Sequence, residues 1–265
     1  MTRLRIFAKG NLDLRDTLHV FRNGTTVLWN GINEIVRAQF PGTLIRLRHE
    51  LCARSDALLE ASGVVPAGLA ERRLPLEPYT AETQFSSALF ETDADIIVLS
   101  IQPDVTTGLF RHRRDGYLLY SSNEETWSKA DRAWLRESFE ATGLLDVAAS
   151  MNNFERIVGR LRQRSPAPIL IYNVSSVVPG ESVHCYEGSD EIFSTRIRRF
   201  NLGLIELSQR IGISVIDVDA VLARAGALRL KLDATHLTAE GCELVAQEVV
   251  RVLDDLGCFL PAGVS

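Results

Sequence analysis

No apolar run in this 265-residue chain approaches the ~20 residues that a bilayer-spanning helix needs. The opening "MTRLRIFAKGN" is basic but has neither a long apolar core nor a small-residue cleavage site, so it does not read as a signal peptide. A cytoplasmic protein is expected. Four cysteines (Cys52, Cys185, Cys242 and Cys258) form no C-x-x-C pair and no metal-ligand spacing. They predict reduced, mostly buried thiols rather than a disulfide framework. Excess positive charge is lacking too: 29 Lys and Arg against 34 Asp and Glu leave a net charge of −5. Neither nucleic acid nor an anionic membrane is therefore expected as the main partner, and a small-molecule substrate is. No shift of composition, linker or internal repeat divides the chain, which predicts a single domain over 1–265.

What is present is an alternation. Short apolar runs stand at 4–8 ("LRIFA"), 43–47 ("TLIRL"), 95–101 ("DIIVLSI"), 168–174 ("PILIYNV") and 213–219 ("ISVIDVD"). Three are β-branched and nearly continuous, as strands covered on both faces are. Helical spacing lies between them, at 28–40, 128–143, 144–166 and 191–212, and again at 238–257. Ser128 is placed as an N-cap of the second of these, which runs to a glycine. Strand–helix alternation with long crossovers predicts an α/β fold: a three-layer α/β/α sandwich, flavodoxin-like, with a five-stranded parallel sheet. The segment 105–126 has weak periodicity and leaves the carboxyl end of the third strand. It is a candidate lid, or else a solvated loop.

The chain has only five histidines, and one stands in "KLDATHLTAEG", three residues after an aspartate. Asp233, His236, Leu237, Thr238 and Gly241 together resemble the last block of the SGNH (GDSL) hydrolase superfamily, D-x-x-H-L-[ST]-x-x-G. A loop running into a helix projects both side chains from one short turn, so the carboxylate can set the tautomer of the imidazole. Thr238 is then the N-cap, and Gly241 permits close packing. The resemblance implies the superfamily's fold over nearly the whole chain.

Its other motifs depart from the pattern. Members carry a nucleophilic serine in G-D-S-L after the first strand, where this chain reads "AKGNLDLRDTLH". With Gly10 in the glycine slot, Leu12 stands where serine should be; with Leu12 in the leucine slot, Asn11 does. The second register is preferred because leucine suits an inward-packing position. The segment also looks like a branch opening G-S-C-x-[ST]-R-D, with Arg15 and Asp16 kept and Ser-Cys changed to Asn-Leu. The oxyanion blocks differ as well: Ala53, Arg54 and Ser55 surround the place of a glycine N–H, and "SIQPDV" offers Gln102 in place of an asparagine amide.

An imidazole oriented by a carboxylate is a general base whatever it deprotonates. It could act on a relocated nucleophile (Thr17, Ser55 or Cys52), on water or the substrate itself, or the cleft could only bind. The expected catalytic residues are Asp233, His236 and Asp13. Gly10, Asn11, Arg15, Arg54, Ser55, Gln102 and Ser175 are expected to contact substrate. Ser176, His184 and Tyr186, in the loop after the fourth strand, are further candidates for the pocket wall. Asp13, Asp16 and His19 share nearly one helical face, but such carboxylates are usually solvated or paired with arginine, so no metal is expected. No cofactor is expected either. Arg196, Arg198 and Arg199 wrap around a helix and read as solvated. The resulting expectation is a hydrolase or acyl-transfer enzyme acting on an ester, thioester or amide of a small polar molecule; the alternative is a catalytically silent binding module.

Overall fold

Five parallel strands form at the five apolar runs: β1 (Thr2–Gly10), β2 (Thr43–Leu51), β3 (Ile96–Ser100), β4 (Ile169–Tyr172) and β5 (Ser214–Ile216). The computed structural model describes residues 2–181 and 191–259. The strand order is β5-β4-β3-β1-β2, with Ile6 opposite Ile96 and Gly10 opposite Leu51. Alternation along the strands divides the core into two layers. Ile6, Ala8 and Val98 face one side, packed on Leu14, Val36 and Val249 of three helices. Phe7, Ile97 and Leu99 face the other, packed on Phe154, Ile157 and Phe200. Helices on both faces of a five-stranded parallel sheet are the predicted α/β architecture.

The helix boundaries agree less evenly. Thr238 caps the C-terminal helix Ala239–Asp255, its hydroxyl accepting from the Gly241 N–H at 3.2 Å. A Cβ on Gly241 would lie 2.8 Å from the Leu230 carbonyl oxygen, so the close approach there requires glycine. Ser128 also caps its helix, Lys129–Ser138, but that helix stops five residues before Gly143. Phe139–Ala141 instead pairs with Phe110–His112, which burial of the Phe139 ring favours. The predicted helix over 28–40 begins only at Ile32. Its first residues belong to a hairpin of Phe21–Asn23 and Thr26–Trp29, and Gly31 at φ 81° interrupts the helical path.

A second correction concerns Arg196, which is 6% exposed rather than solvated. Its guanidinium donates to the carbonyls of Val105, Asp104 and Leu145, so it ties helix Phe193–Ile211 to the short helix Gln102–Thr106 and to the loop at Leu145. Arg198 and Arg199 are exposed as expected. His184, Cys185 and Tyr186 lie outside the described residues. The segment 105–126 forms part of a small antiparallel sheet (Leu118–Leu119, Phe110–His112 and Phe139–Ala141) and a 3₁₀ turn at Glu124–Thr126. Tyr120, Ser122 and Asn123, between that sheet and the turn, help wall the site described next.

Candidate active site

The turn bearing the dyad is closed at its neck. Lys231 bridges Leu237, and the Leu232 N–H donates to the His236 carbonyl at 2.9 Å. Within it Asp233 Oδ2 lies 2.8 Å from His236 Nδ1. Asp233 Oδ1 accepts the backbone N–H groups of Thr235 and His236, each at 2.8 Å. Burial alone would raise the Asp233 carboxyl, but these two N–H groups and the imidazole outweigh it and hold the pKa at about 2. An ionised carboxylate only accepts hydrogen bonds, so Nδ1 carries a proton, and in the neutral imidazole Nε2 then presents its lone pair. Among the described residues nothing hydrogen-bonds to Nε2.

His236 and Asp233 open on a cleft of about 650 Å³ whose walls include Asn11, Tyr79, Gln102, Thr107, Tyr120 and Asn123. The lining has hydroxyls, amides and aromatic rings and, among the described residues, no lysine or arginine. Asn11 is the N-cap of helix Leu12–Leu18, its Oδ1 accepting the Leu12 N–H at 2.8 Å. Tyr79 donates its hydroxyl to the same oxygen and packs edge-on against Tyr120. Two donors on one atom identify it as the amide oxygen, and among the described residues the Nδ2 donors of Asn11 have no hydrogen-bond partner. Asn11 follows the end of β1 directly and caps the first helix, while Leu12, which the preferred register expects to pack inward, is half-buried and lines the cleft. Gly10 lies beneath; a Cβ there would meet Leu14 at 2.5 Å.

Asp13 stands one step behind. It accepts from the Ser100 hydroxyl, and at 3.2 Å from the Asn11 N–H. Burial pushes its pKa up to about 6, with the Ser100 hydroxyl and the N–H groups of Leu14 and Asn11 opposing the rise. It lines a small cavity behind the dyad with Gln102, Ser175 and Lys231. Gln102 borders both this cavity and the cleft, and its Nε2 donates to the Thr235 carbonyl at 3.2 Å. Ser175 is 2% exposed and faces the small cavity.

Three expected contacts are placed elsewhere. Arg15 is 48% exposed and pairs with Asp16, Nε to Oδ1 at 2.8 Å. Arg54 is buried with all five donors engaged: two on Asp56, one on Thr142 Oγ1, and one each on the Thr107 and Gly143 carbonyls. Ser55 belongs to a buried network in which its N–H donates to Asp104 Oδ1 at 2.7 Å and its hydroxyl to Oδ2. The other nucleophile candidates are similarly occupied. The Thr17 hydroxyl donates to the Asp13 carbonyl at 2.8 Å, and burial pushes the Cys52 thiol up to about 12. Tyr79, Tyr120 and Lys231 escaped the sequence reading. Lys231 stands two residues before Asp233, and Tyr120 lies within the 105–126 segment read as a candidate lid.

No family model matches the chain, and no curated protein matches it. Solved structures do. A member of the lipolytic protein G-D-S-L family from Veillonella parvula DSM 2008 aligns over 95% of this chain and 98% of its own, with 12% identity and a TM-score of 0.51. The lipase/acylhydrolase from Enterococcus faecalis aligns over 97% of both chains, with 12% identity and a TM-score of 0.52. An acetyl xylan esterase aligns over 94% of this chain and all of its own, with 10% identity and a TM-score of 0.52. Among the described residues no helix is long and apolar enough to cross a membrane. The end-to-end match of strands and helices to these structures identifies the architecture as the SGNH-hydrolase fold.

Proposed function

We propose that this chain hydrolyses an acyl bond, in an ester, thioester or amide of a small, neutral, polar molecule, without forming an acyl-enzyme. The observation that carries the reading is the carboxylate-oriented imidazole of His236, which lies on a cleft that Asn11, directly after β1, also lines. In this reading Nε2 takes a proton from a water molecule as its oxygen attacks the acyl carbon. The carbonyl electrons move onto oxygen, and the Asn11 Nδ2 donors meet the developing charge. Asp233, ionised throughout the neutral range, stabilises the imidazolium. Collapse of the tetrahedral species breaks the bond to the alcohol, thiol or amine, which receives the proton from Nε2. General-base assistance of this kind supplies about 10²–10⁴-fold. The lining of hydroxyls and amides, with no lysine or arginine among the described residues, supports a neutral substrate, and the esterase and acylhydrolase named above support the reaction class.

A silent binding module is the second reading, and the lack of a hydroxyl hydrogen-bonded to Nε2 among the described residues favours it. Short-chain aryl esters and acyl thioesters, tested with the purified protein beside His236→Ala, separate the two. Turnover that His236→Ala lowers at least a hundredfold supports hydrolysis. No turnover, with ligand binding equal in both proteins, supports the module.

A further inference from the structure

We propose that Lys231 is a positioning residue: its buried ammonium ties the Asp233–His236 turn to the loop after β4, and the dyad keeps its geometry only while that ammonium is charged. The inference rests on reading His236 as the base. Lys231 is 7% exposed, and its Nζ donates to three backbone carbonyls: Ala234 at 2.9 Å, Ser175 at 3.2 Å and Val177 at 2.5 Å. One of these lies inside the dyad turn; the other two lie in the loop that leaves the neighbouring strand. Among the described residues no carboxylate forms a salt bridge with it.

That arrangement needs the charge. An ammonium has three N–H donors and no lone pair, which suits three carbonyl oxygens. A neutral amine has two donors and a lone pair, so one carbonyl would face the lone pair and its link would break. The charged groups around Lys231 come from several elements. Asp219, on helix Val218–Ala225, holds the Ser176 N–H at 2.7 Å, and Asp233 lies in the turn itself. Asp13 and Tyr172 border the adjoining cavity. Burial pulls the Lys231 pKa down to about 8, with Asp219 and Asp233 pulling it back up. The tether therefore weakens as pH rises through that value, and loss of His236 alignment sets an alkaline limit.

The test needs no substrate. Wild-type protein labelled with ¹⁵N in lysine and histidine is titrated by NMR, following Lys231 Nζ and the Nδ1–H resonance of His236. A shared midpoint near pH 8, with loss of the Nδ1–H form above it, is the expected result. Titration of Lys231 with no response from His236 overturns the proposal. Lys231→Met should lack the Nδ1–H form at every pH while keeping its far-ultraviolet circular dichroism. Lys231→Arg, charged throughout, should keep that form above pH 8. Where an ester substrate is found, Lys231→Met should lower kcat at least thirtyfold with KM within threefold; an unchanged kcat counts against the tether. If Lys231→Met does not fold, the wild-type titration decides alone. Absence of esterase activity bears on the hydrolase reading, whereas absence of coupling between the two titrations bears on Lys231.

Discussion

Gln102 Nε2 donates to the Thr235 carbonyl at 3.2 Å, joining the end of β3 to the dyad turn across 133 residues of sequence. The same residue's N–H donates to Ser100 Oγ at 3.0 Å, and that hydroxyl in turn donates to Asp13. One short chain of bonds thus connects the first helix, the third strand and the turn that carries Asp233 and His236. Replacing Gln102 with Leu removes the link while keeping most of the volume. We expect kcat/KM to fall about tenfold, or about 1.4 kcal/mol of transition-state stabilisation, with the melting temperature lowered by only a few degrees. Unchanged kinetics would show that the turn holds itself.

Asp233→Asn tests the dyad directly. An amide at this position can donate to Nδ1 and favour the wrong tautomer of His236, a change that costs roughly 10⁴-fold in kcat for the serine triad. We expect a loss of 10³–10⁴-fold by that analogy, with the fold retained by circular dichroism. Because the carboxyl titrates at about 2, Asp233 should contribute no acid limb to the pH–rate profile above pH 4. A fully active Asp233→Asn protein would remove the dyad from the mechanism.

Fluorophosphonate reagents should leave the wild-type protein unlabelled, since Asn11 offers no hydroxyl. Asn11→Ser keeps a good N-cap, so folding should survive. It should gain labelling that intact-mass analysis detects and that His236→Ala removes. His236-dependent labelling of Thr17 or Ser55 in the wild type would instead establish a relocated nucleophile.

Arg54→Met should destabilise the protein by about 3–5 kcal/mol, because Asp56 loses its buried partner and two carbonyls lose their donors. Urea unfolding measures this. A change below about 1 kcal/mol would mean that water replaces the guanidinium.

Asp104 predicts a pH dependence of stability. It is 1% exposed, and burial pushes its pKa up to about 6, against the Ser150 and Ser55 hydrogen bonds that lower it. A folded pKa above the unfolded value of 3.8 means that the folded state binds the proton more tightly. Its contribution is complete below about pH 3.8 and is lost as pH rises through about 6. Unfolding free energies for the wild type and Asp104→Asn should therefore change relative to each other between pH 4 and 7, with the wild type losing ground as pH rises. Parallel curves would contradict the assignment.

By itself, the sequence determined what short-range periodicity and capping determine: five strand cores, the N-caps Ser128 and Thr238, the glycine approach at Gly241, and the Asp233–His236 pair, whose partners lie three residues apart. It could also place Asn11 directly after the first strand, Thr2–Gly10. Only the tertiary structure decided which polar residues face solvent, substrate or one another. In sequence Arg54 reads as a substrate contact and Arg196 as a solvated charge, yet their guanidinium groups are buried on carbonyls from loops 50 or more residues away. Tyr79 reaches Asn11 from a segment without periodicity, and Lys231 finds two of its three carbonyls in the loop after β4. The physical reason is that strand and helix patterns are written in neighbours one to four residues apart. Desolvation and hydrogen-bond pairing depend instead on groups that meet only once the sheet has brought its carboxyl ends together.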